Sequence, residues 1–290
     1  MKHIIAFLSF LCIFTYGAPS QEIPAITQEA KALFHIESFR MQNKAGRFYT
    51  IYIAKPKQKI DSTSIFYTLD GNAFFPMLLN TIAIDKAADS IHALPIIVSI
   101  AHDSTLAFDR ELRTYDYTPI LDKHLQDEFS GGGGIDTFLD FLIHQVKPTI
   151  HKRFGTPSKE LLFGHSFGGL FVLHTMSSVN AAFTHYVCAS PSLWWGNGAF
   201  IESYKTLVAK NAPLKSHIIF TRGSLEKEGQ NKHKTPNAKK PLYDIQSVVK
   251  IYQKAAINPK NVVFVEITNK THGGSIPGAF MLGLESFMGR

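Results

Sequence analysis

Glu160-Leu161-Leu162-Phe163-Gly164-His165-Ser166-Phe167-Gly168-Gly169, followed by Leu170-Phe171-Val172-Leu173-His174-Thr175-Met176, decides the fold. An apolar run short enough for a buried strand enters a G-x-S-x-G turn, and an apolar run of helical length leaves it. A strand that turns this sharply into a helix strains the central residue. The positions two before and two after it, Gly164 and Gly168, are therefore expected to lack side chains for steric reasons. The helix behind Ser166 directs unpaired N–H groups and its positive dipole end at any oxyanion formed on that serine. The stretch reads as a nucleophile elbow in an α/β sheet.

A serine hydroxyl needs a histidine base and a carboxylate, and in such sheets they follow in the chain order serine, acid, histidine. Of the 13 histidines, only His174, His185, His217, His233 and His272 lie downstream. His174 falls inside the helix after the elbow, His185 and His217 at the starts of strands, and His233 in a lysine-rich stretch. His272 differs, because Val262-Val263-Phe264-Val265-Glu266-Ile267 reads as a buried strand and Thr268 to Gly274 as the loop at its carboxyl end. Catalytic groups of open α/β sheets gather at that edge, so His272 is the expected base. The acid should follow the preceding strand, His217 to Thr221. Glu226 and Glu228 compete there, and Glu226 is preferred because Gly223 can turn the chain back over the strand end.

An oxyanion hole takes one N–H from the residue after the nucleophile, Phe167, and one from the loop after an earlier strand. The strand Ile65 to Leu69 runs straight into Asp70-Gly71-Asn72, which makes the Asn72 N–H the expected second donor. Around these motifs, strands and helices alternate. Strands are expected at Phe34 to Met41, Gly46 to Ala54, Pro95 to Ala101 and Tyr186 to Ala189, with helices at Phe74 to Ser90, Phe200 to Lys210, Tyr243 to Ala256 and after Pro277. The stretch Ile135 to Phe154 places Ile135, Phe138, Leu139, Leu142, Val146 and Ile150 on one helical face, and Pro148 predicts a kink. His102 to Gly134 reads as a long irregular stretch whose four terminal glycines would supply a hinge. The alternation implies a mostly parallel central sheet with helices on both faces, in one domain over residues 19–290.

The N-terminus, residues 1–18, follows a signal-peptide plan: Lys2, an apolar run from Ile4 to Tyr16 too short to span a bilayer, and the small residues Gly17 and Ala18, either of which suits cleavage. Export to a periplasm is the expectation. Removing that segment takes Cys12 with it and leaves Cys188 as a packed thiol, so no intramolecular disulfide is expected. The formal net charge is +7, and Lys227, Lys232, Lys234, Lys239 and Lys240 concentrate it after the expected acid. No nucleic-acid motif accompanies the charge. No metal-ligand spacing, dinucleotide loop or phosphate loop is present, so no cofactor and no metal are implied.

Four segments carry a family resemblance: Tyr67 to Phe75, Arg113-Thr114-Tyr115-Asp116-Tyr117-Thr118-Pro119, the Gly-His-Ser-Phe-Gly-Gly elbow, and Ala189-Ser190-Pro191-Ser192-Leu193-Trp194-Trp195. From about Phe34 onward the chain resembles the α/β-hydrolase esterases that include the siderophore trilactone esterases of the enterochelin and salmochelin type. The resemblance implies hydrolysis of catecholate trilactones with Ser166 as nucleophile and His272 as base. It also admits a general or feruloyl-type esterase, and a siderophore-binding protein on a hydrolase scaffold is the non-enzymatic alternative. The stretch Lys227 to Lys240 is longer and more basic than the family pattern, which leaves the acid open between Glu226, Glu228 and a serine-histidine dyad with neither. The lysine-rich loop reads first as a solvated charged face; the sharper expectation is that it and Arg113 attract an anionic, iron-loaded substrate, with Trp194 and Trp195 stacking on its aromatic rings unless one of them packs beneath the loop.

Overall fold

The computed structural model describes residues 21–58, 63–87, 94–126, 129–179, 181–211, 213–226 and 242–289. Eight strands form one sheet: β1 (Phe34–Gln42), β2 (Phe48–Pro56), β3 (Ser64–Thr68), β4 (Ile96–His102), β5 (Lys159–His165), β6 (His185–Ala189), β7 (His217–Gly223) and β8 (Val262–Ile267). Their spatial order is β1-β2-β4-β3-β5-β6-β7-β8. β1, β2 and β4 pair antiparallel, and every pairing from β4 across to β8 is parallel. This is the mostly parallel sheet that the alternation implied, in the α/β-hydrolase arrangement that the resemblance implied.

The period of two along each strand divides the core in half. Ile65 and Tyr67 of β3, Leu162 of β5, and Ile218 and Phe220 of β7 join the core on one face. Phe66, Leu161, Phe163 and Ile219 join the core on the other. Because both faces are buried, these strands read as continuous apolar runs and not as alternating ones. The second face is covered by α1 (Gln28–Leu33), α2 (Gly71–Ala87) and the C-terminal α10 (Ile276–Met288). The first is covered by α3 (Arg110–Tyr117), the helices of 135–154, α7 (Phe167–Ser178), α8 (Phe200–Asn211) and α9 (Ile245–Ala255), with the short α4 (Lys123–Gln126) beside them.

Four expectations are corrected. The stretch from His102 to Gly134 holds a capped helix, α3, whose N-cap Asp109 accepts from the Leu112 N–H at 3.0 Å. Its glycines are fixed in place and are not a hinge: a Cβ on Gly132 would strike Thr118 and Trp195 and one on Gly134 would strike Tyr115, while Gly131 and Gly133 hold the positive φ of 89° and 115° that glycine adopts without strain. The irregularity expected as a kink at Pro148 falls just before it: α5 (Ile135–Phe141) passes through a π-helical turn at Leu142–Val146 into α6 (Lys147–Phe154), with helical dihedrals at both junctions. The wider turn just before the proline accommodates its missing N–H and ring. β8 is an edge strand with only Val262 fully buried, since β7 is its one neighbour.

His185 and His217 face each other at the amino ends of β6 and β7, with ring centroids 4.9 Å apart. Burial, reinforced by His217 and Lys159, pushes the His185 imidazole down to about 4. The unfolded chain, with an imidazole near about 6.5, binds this proton more readily than the native one. The contribution is therefore complete above about pH 6.5 and is lost as pH falls toward about 4. Denaturant titrations across that window should show stability declining by on the order of 3 kcal/mol, and His185→Asn should flatten that decline. Identical pH dependence in the variant would contradict the assignment.

Candidate active site

The elbow is built as its sequence requires, with one change in which glycine matters. Ser166 sits at φ 60°, ψ −117°, between β5 and α7, a conformation that costs a non-glycine residue free energy. A Cβ on Gly164 would overlap the Gly168 carbonyl, so Gly164 is obligatory. A Cβ on Gly168 would find ordinary contacts with Asp70 and Leu69. The second steric demand falls one residue later, on Gly169, where a Cβ would stand 2.8 Å from the Ala189 carbonyl and 3.0 Å from Pro191 Cα. The turn after β6 is thereby pressed against the start of α7.

Glu226 and His272 meet at the carboxyl edge of the sheet, where His272 Nδ1 lies 2.9 Å from Glu226 Oε2. The other carboxylate oxygen, Oε1, accepts from the Ser190 hydroxyl at 2.7 Å and the Gly223 N–H at 2.6 Å. Burial alone would push this carboxyl up, but the hydrogen bonds from His272, Ser190 and Gly223 outweigh it and hold it below its ordinary range. Gly223 earns its place by close approach: a Cβ there would overlap the Lys270 carbonyl. The Leu225 N–H donates to that carbonyl at 3.0 Å and the Asn269 N–H to Ser224 Oγ at 2.8 Å, lacing the acid turn to the histidine loop. Glu228 lies outside the described residues, as do Lys227 to Lys240 and His233.

His272 leans on the elbow through His165, with ring centroids 4.4 Å apart. Because a carbonyl only accepts, the His165 Nε2–H must donate to the His272 carbonyl at 2.9 Å. Burial, with His272 beside it, holds the His165 imidazole well below its ordinary value. It is therefore neutral at neutral pH. Among the described residues, the Ser166 hydroxyl is paired with Ser192 Oγ at 3.1 Å and makes no hydrogen bond with His272. The Phe167 N–H, at the first turn of α7, has no intrahelical partner to donate to.

A family model described as "Putative esterase" matches residues 43–264. The chain belongs to this esterase family. It is 28% identical over 275 residues to the apo-salmochelin esterase of Escherichia coli O6:H1, covering 92% of this chain and 83% of that protein. Its 32% identity to the siderophore triacetylfusarinine C esterase of Aspergillus fumigatus extends over 181 residues, 59% of this chain and 61% of the relative, less than two thirds of that protein. Among solved structures, the BES protein from Bacillus cereus aligns with a TM-score of 0.70 at 30% identity, covering 87% of this chain and 95% of that one. The enterobactin hydrolase IroE in complex with DFP aligns with a TM-score of 0.69 at 25% identity, covering 91% of this chain and all of that one.

The esterase holds the loop after β3 with a clamp that sequence reasoning assigned differently. Asp70, at φ 52°, is buried and takes both carboxylate oxygens to Arg113, Oδ1 from Nε at 2.5 Å and Oδ2 from Nη2 at 2.9 Å. The Asp70 N–H donates to the Tyr117 hydroxyl at 3.1 Å, and its carbonyl accepts from Ala73 and Phe74 of α2. Arg113 was expected to attract an anionic substrate. Its charge is instead balanced by Asp70, so the expectation is corrected to a bidentate, buried ion pair. Asn72 lies in the first turn of α2, with its amide donating to the carbonyls of His102 at 3.2 Å and Ser104 at 2.9 Å. Gly71 is needed there because a Cβ would stand 2.9 Å from the Ala101 nitrogen of β4. Arg113→Ala would leave a buried carboxylate uncompensated, and a loss of about 3–5 kcal/mol is expected. A denaturation midpoint unchanged in that variant would contradict the clamp.

The tryptophans separate. Trp195 is 3% exposed. It donates its indole N–H to the Pro119 carbonyl at 3.3 Å and packs on Phe129 and Phe167. It is therefore a packing residue, and its expected stacking on a substrate is corrected. Trp194 is half-buried, 5.5 Å from the Phe167 ring. Cys188 is buried against the Gly169 carbonyl at 3.2 Å, and burial pushes its thiol up, away from reactivity. Among the described residues, no three His, Cys, Asp or Glu side chains gather as a metal site. Ser190 and Ser192 are the site residues that sequence reasoning did not single out by role, although the motif containing them was recognised. Both are short hydroxyls two positions apart at a strand end, a signal shared by many turns.

Proposed function

We propose that this esterase hydrolyses the ester bonds of a siderophore through an acyl-serine intermediate. The observation that carries the reading is the Glu226–His272 pair, 2.9 Å apart, anchored beside an elbow that holds Ser166 at φ 60°. A pure binding scaffold has no use for that strain. In the reaction the Ser166 hydroxyl turns from Ser192 to the free Nε2 of His272, gives up its proton there and attacks the ester carbonyl. The Phe167 and Asn72 N–H groups, at the starts of two helices, take the negative charge on the carbonyl oxygen. Glu226 keeps the Nδ1–H tautomer of His272 and stabilises the imidazolium. That proton then passes to the departing alkoxide, and water repeats the sequence in reverse to release the acid.

The substrate class follows from the relatives, which include proteins named as esterases of salmochelin, triacetylfusarinine C, enterobactin and ferri-bacillibactin. A catecholate trilactone is the finer reading. Trp194 offers an aromatic face at the site, and a stacked ring contributes about 0.5–1.5 kcal/mol. Attraction of an anionic ferric complex would fall to the lysines after Glu226, since Arg113 is neutralised. The signal-peptide plan of residues 1–18, which lie outside the described residues, supports a periplasmic enzyme meeting its substrate after uptake. Incubation of the purified protein with iron-free and ferric catecholate trilactone, a hydroxamate triester siderophore and a simple aryl ester, followed by mass spectrometry of products, tests the reading. Linear fragments gaining one water per cleaved ester are expected from a siderophore. Rapid cleavage of the aryl ester with every siderophore intact would establish a general carboxylesterase instead.

A further inference from the structure

We propose that Ser190 is a positioning residue whose hydroxyl fixes the plane of the Glu226 carboxylate. The inference rests on the reading of Glu226 as the acid that orients His272. Ser190 follows β6 directly and sits at φ 42°, in the left-handed region that glycine adopts freely and serine does not. Its N–H donates to the Thr221 carbonyl at 2.8 Å, extending the β6–β7 ladder by one residue before the chain turns through Pro191. That turn delivers two hydroxyls to two different members of the site. Ser192 Oγ reaches Ser166 Oγ at 3.1 Å, while Ser190 Oγ reaches Glu226 Oε1 at 2.7 Å.

The carboxylate, held ionised, can only accept, so Ser190 is the donor. Its bond and that of the Gly223 N–H both fall on Oε1 and leave Oε2 for the imidazole. With the Gly223 N–H alone on Oε1 and His272 on Oε2, each oxygen has one partner and the carboxylate plane can still tilt about the line joining them. The second donor removes that freedom and turns Oε2 toward Nδ1. Ser190 is 4% exposed, so water does not readily replace its hydroxyl. An observed backbone outlier beside a reacting group is the kind of strain that function preserves. Glycine would satisfy the backbone at this position without strain, but it would leave Oε1 with one partner.

The test compares Ser190→Gly, Ser190→Ala, Glu226→Gln and the double variant Ser190→Gly/Glu226→Gln on a soluble aryl ester, with unfolding midpoints to verify folding. Ser190→Gly and Ser190→Ala are both expected to lower kcat by about ten- to a hundredfold, the scale of a hydrogen bond to a charged group, with KM unchanged. In the Glu226→Gln background, Ser190→Gly should cost nothing further, because the two groups act as a unit. A folded Ser190→Gly protein with full kcat, while Glu226→Gln is crippled, would overturn the inference and leave the acid reading intact. So would a loss in Ser190→Ala alone, which would assign the effect to the backbone, or full additivity in the double variant. An active Glu226→Gln enzyme would overturn the acid reading and this inference together.

Discussion

Ser166→Ala is expected to abolish ester hydrolysis, lowering kcat by about four to six orders of magnitude, while the protein stays folded. The elbow should survive because its shape depends on Gly164 and Gly169, not on the serine side chain. Alanine also keeps the Cβ while deleting the Oγ–Oγ contact with Ser192. Circular dichroism and the unfolding midpoint separate loss of chemistry from loss of fold. Residual turnover traced to the variant itself would remove Ser166 from the role of nucleophile.

His272→Ala should cost nearly as much, and the double variant with Ser166→Ala no more than either alone, because neither group works without the other. Glu226→Gln should cost less, about 10³- to 10⁴-fold, since an amide in place of the carboxylate favours the wrong imidazole tautomer without removing the base. The geometry makes the distinction sharp. Glu226 is bonded on both oxygens, whereas His272 is half exposed and tied by its Nδ1 and its carbonyl. Steady-state rates on one aryl ester across the variants give the comparison. A Glu226→Gln enzyme at full rate, with loss only on replacing Glu228, would transfer the acid to the neighbouring glutamate.

The sequence made the elbow, the parallel core and the helical face from Ile135 to Ile150 legible, because each rests on local periodicity. Leu161, Leu162 and Phe163 point to alternate faces that are both covered, so their uniform hydropathy reports burial directly. α3 was not legible. It buries Thr114, Asp116 and Tyr117, and their partners are far off in sequence. Asp116 accepts from Tyr49 at 2.9 Å and pairs with His102 at 3.1 Å, while Arg113 pairs with Asp70. A helix of eight mostly polar residues offers too few turns for its periodicity to stand out from the irregular stretch around it.

The same reason hid what Arg113 does. Sequence offers its charge, but the compensating carboxylate stands 43 positions earlier. Trp195 likewise looks like its neighbour Trp194 until Pro119 and Phe129 are brought against it. The placing of Glu226 beside His272 depends on a turn closed by the Glu226 N–H donating to the Gly223 carbonyl at 3.0 Å, which the glycine spacing did suggest. Ser190 and Ser192 had no such signal, since a strained serine carries the same letter as a relaxed one.

The most direct measurement is covalent. An organophosphate that esterifies activated serines, incubated with the protein and followed by peptide mass mapping, should place one adduct per chain on Ser166, with hydrolysis of siderophore and aryl ester lost in proportion to labelling. The His272→Ala protein should label far more slowly, because its serine has no base. Labelling at any other residue, or full labelling of Ser166 with hydrolysis undiminished, would contradict the account.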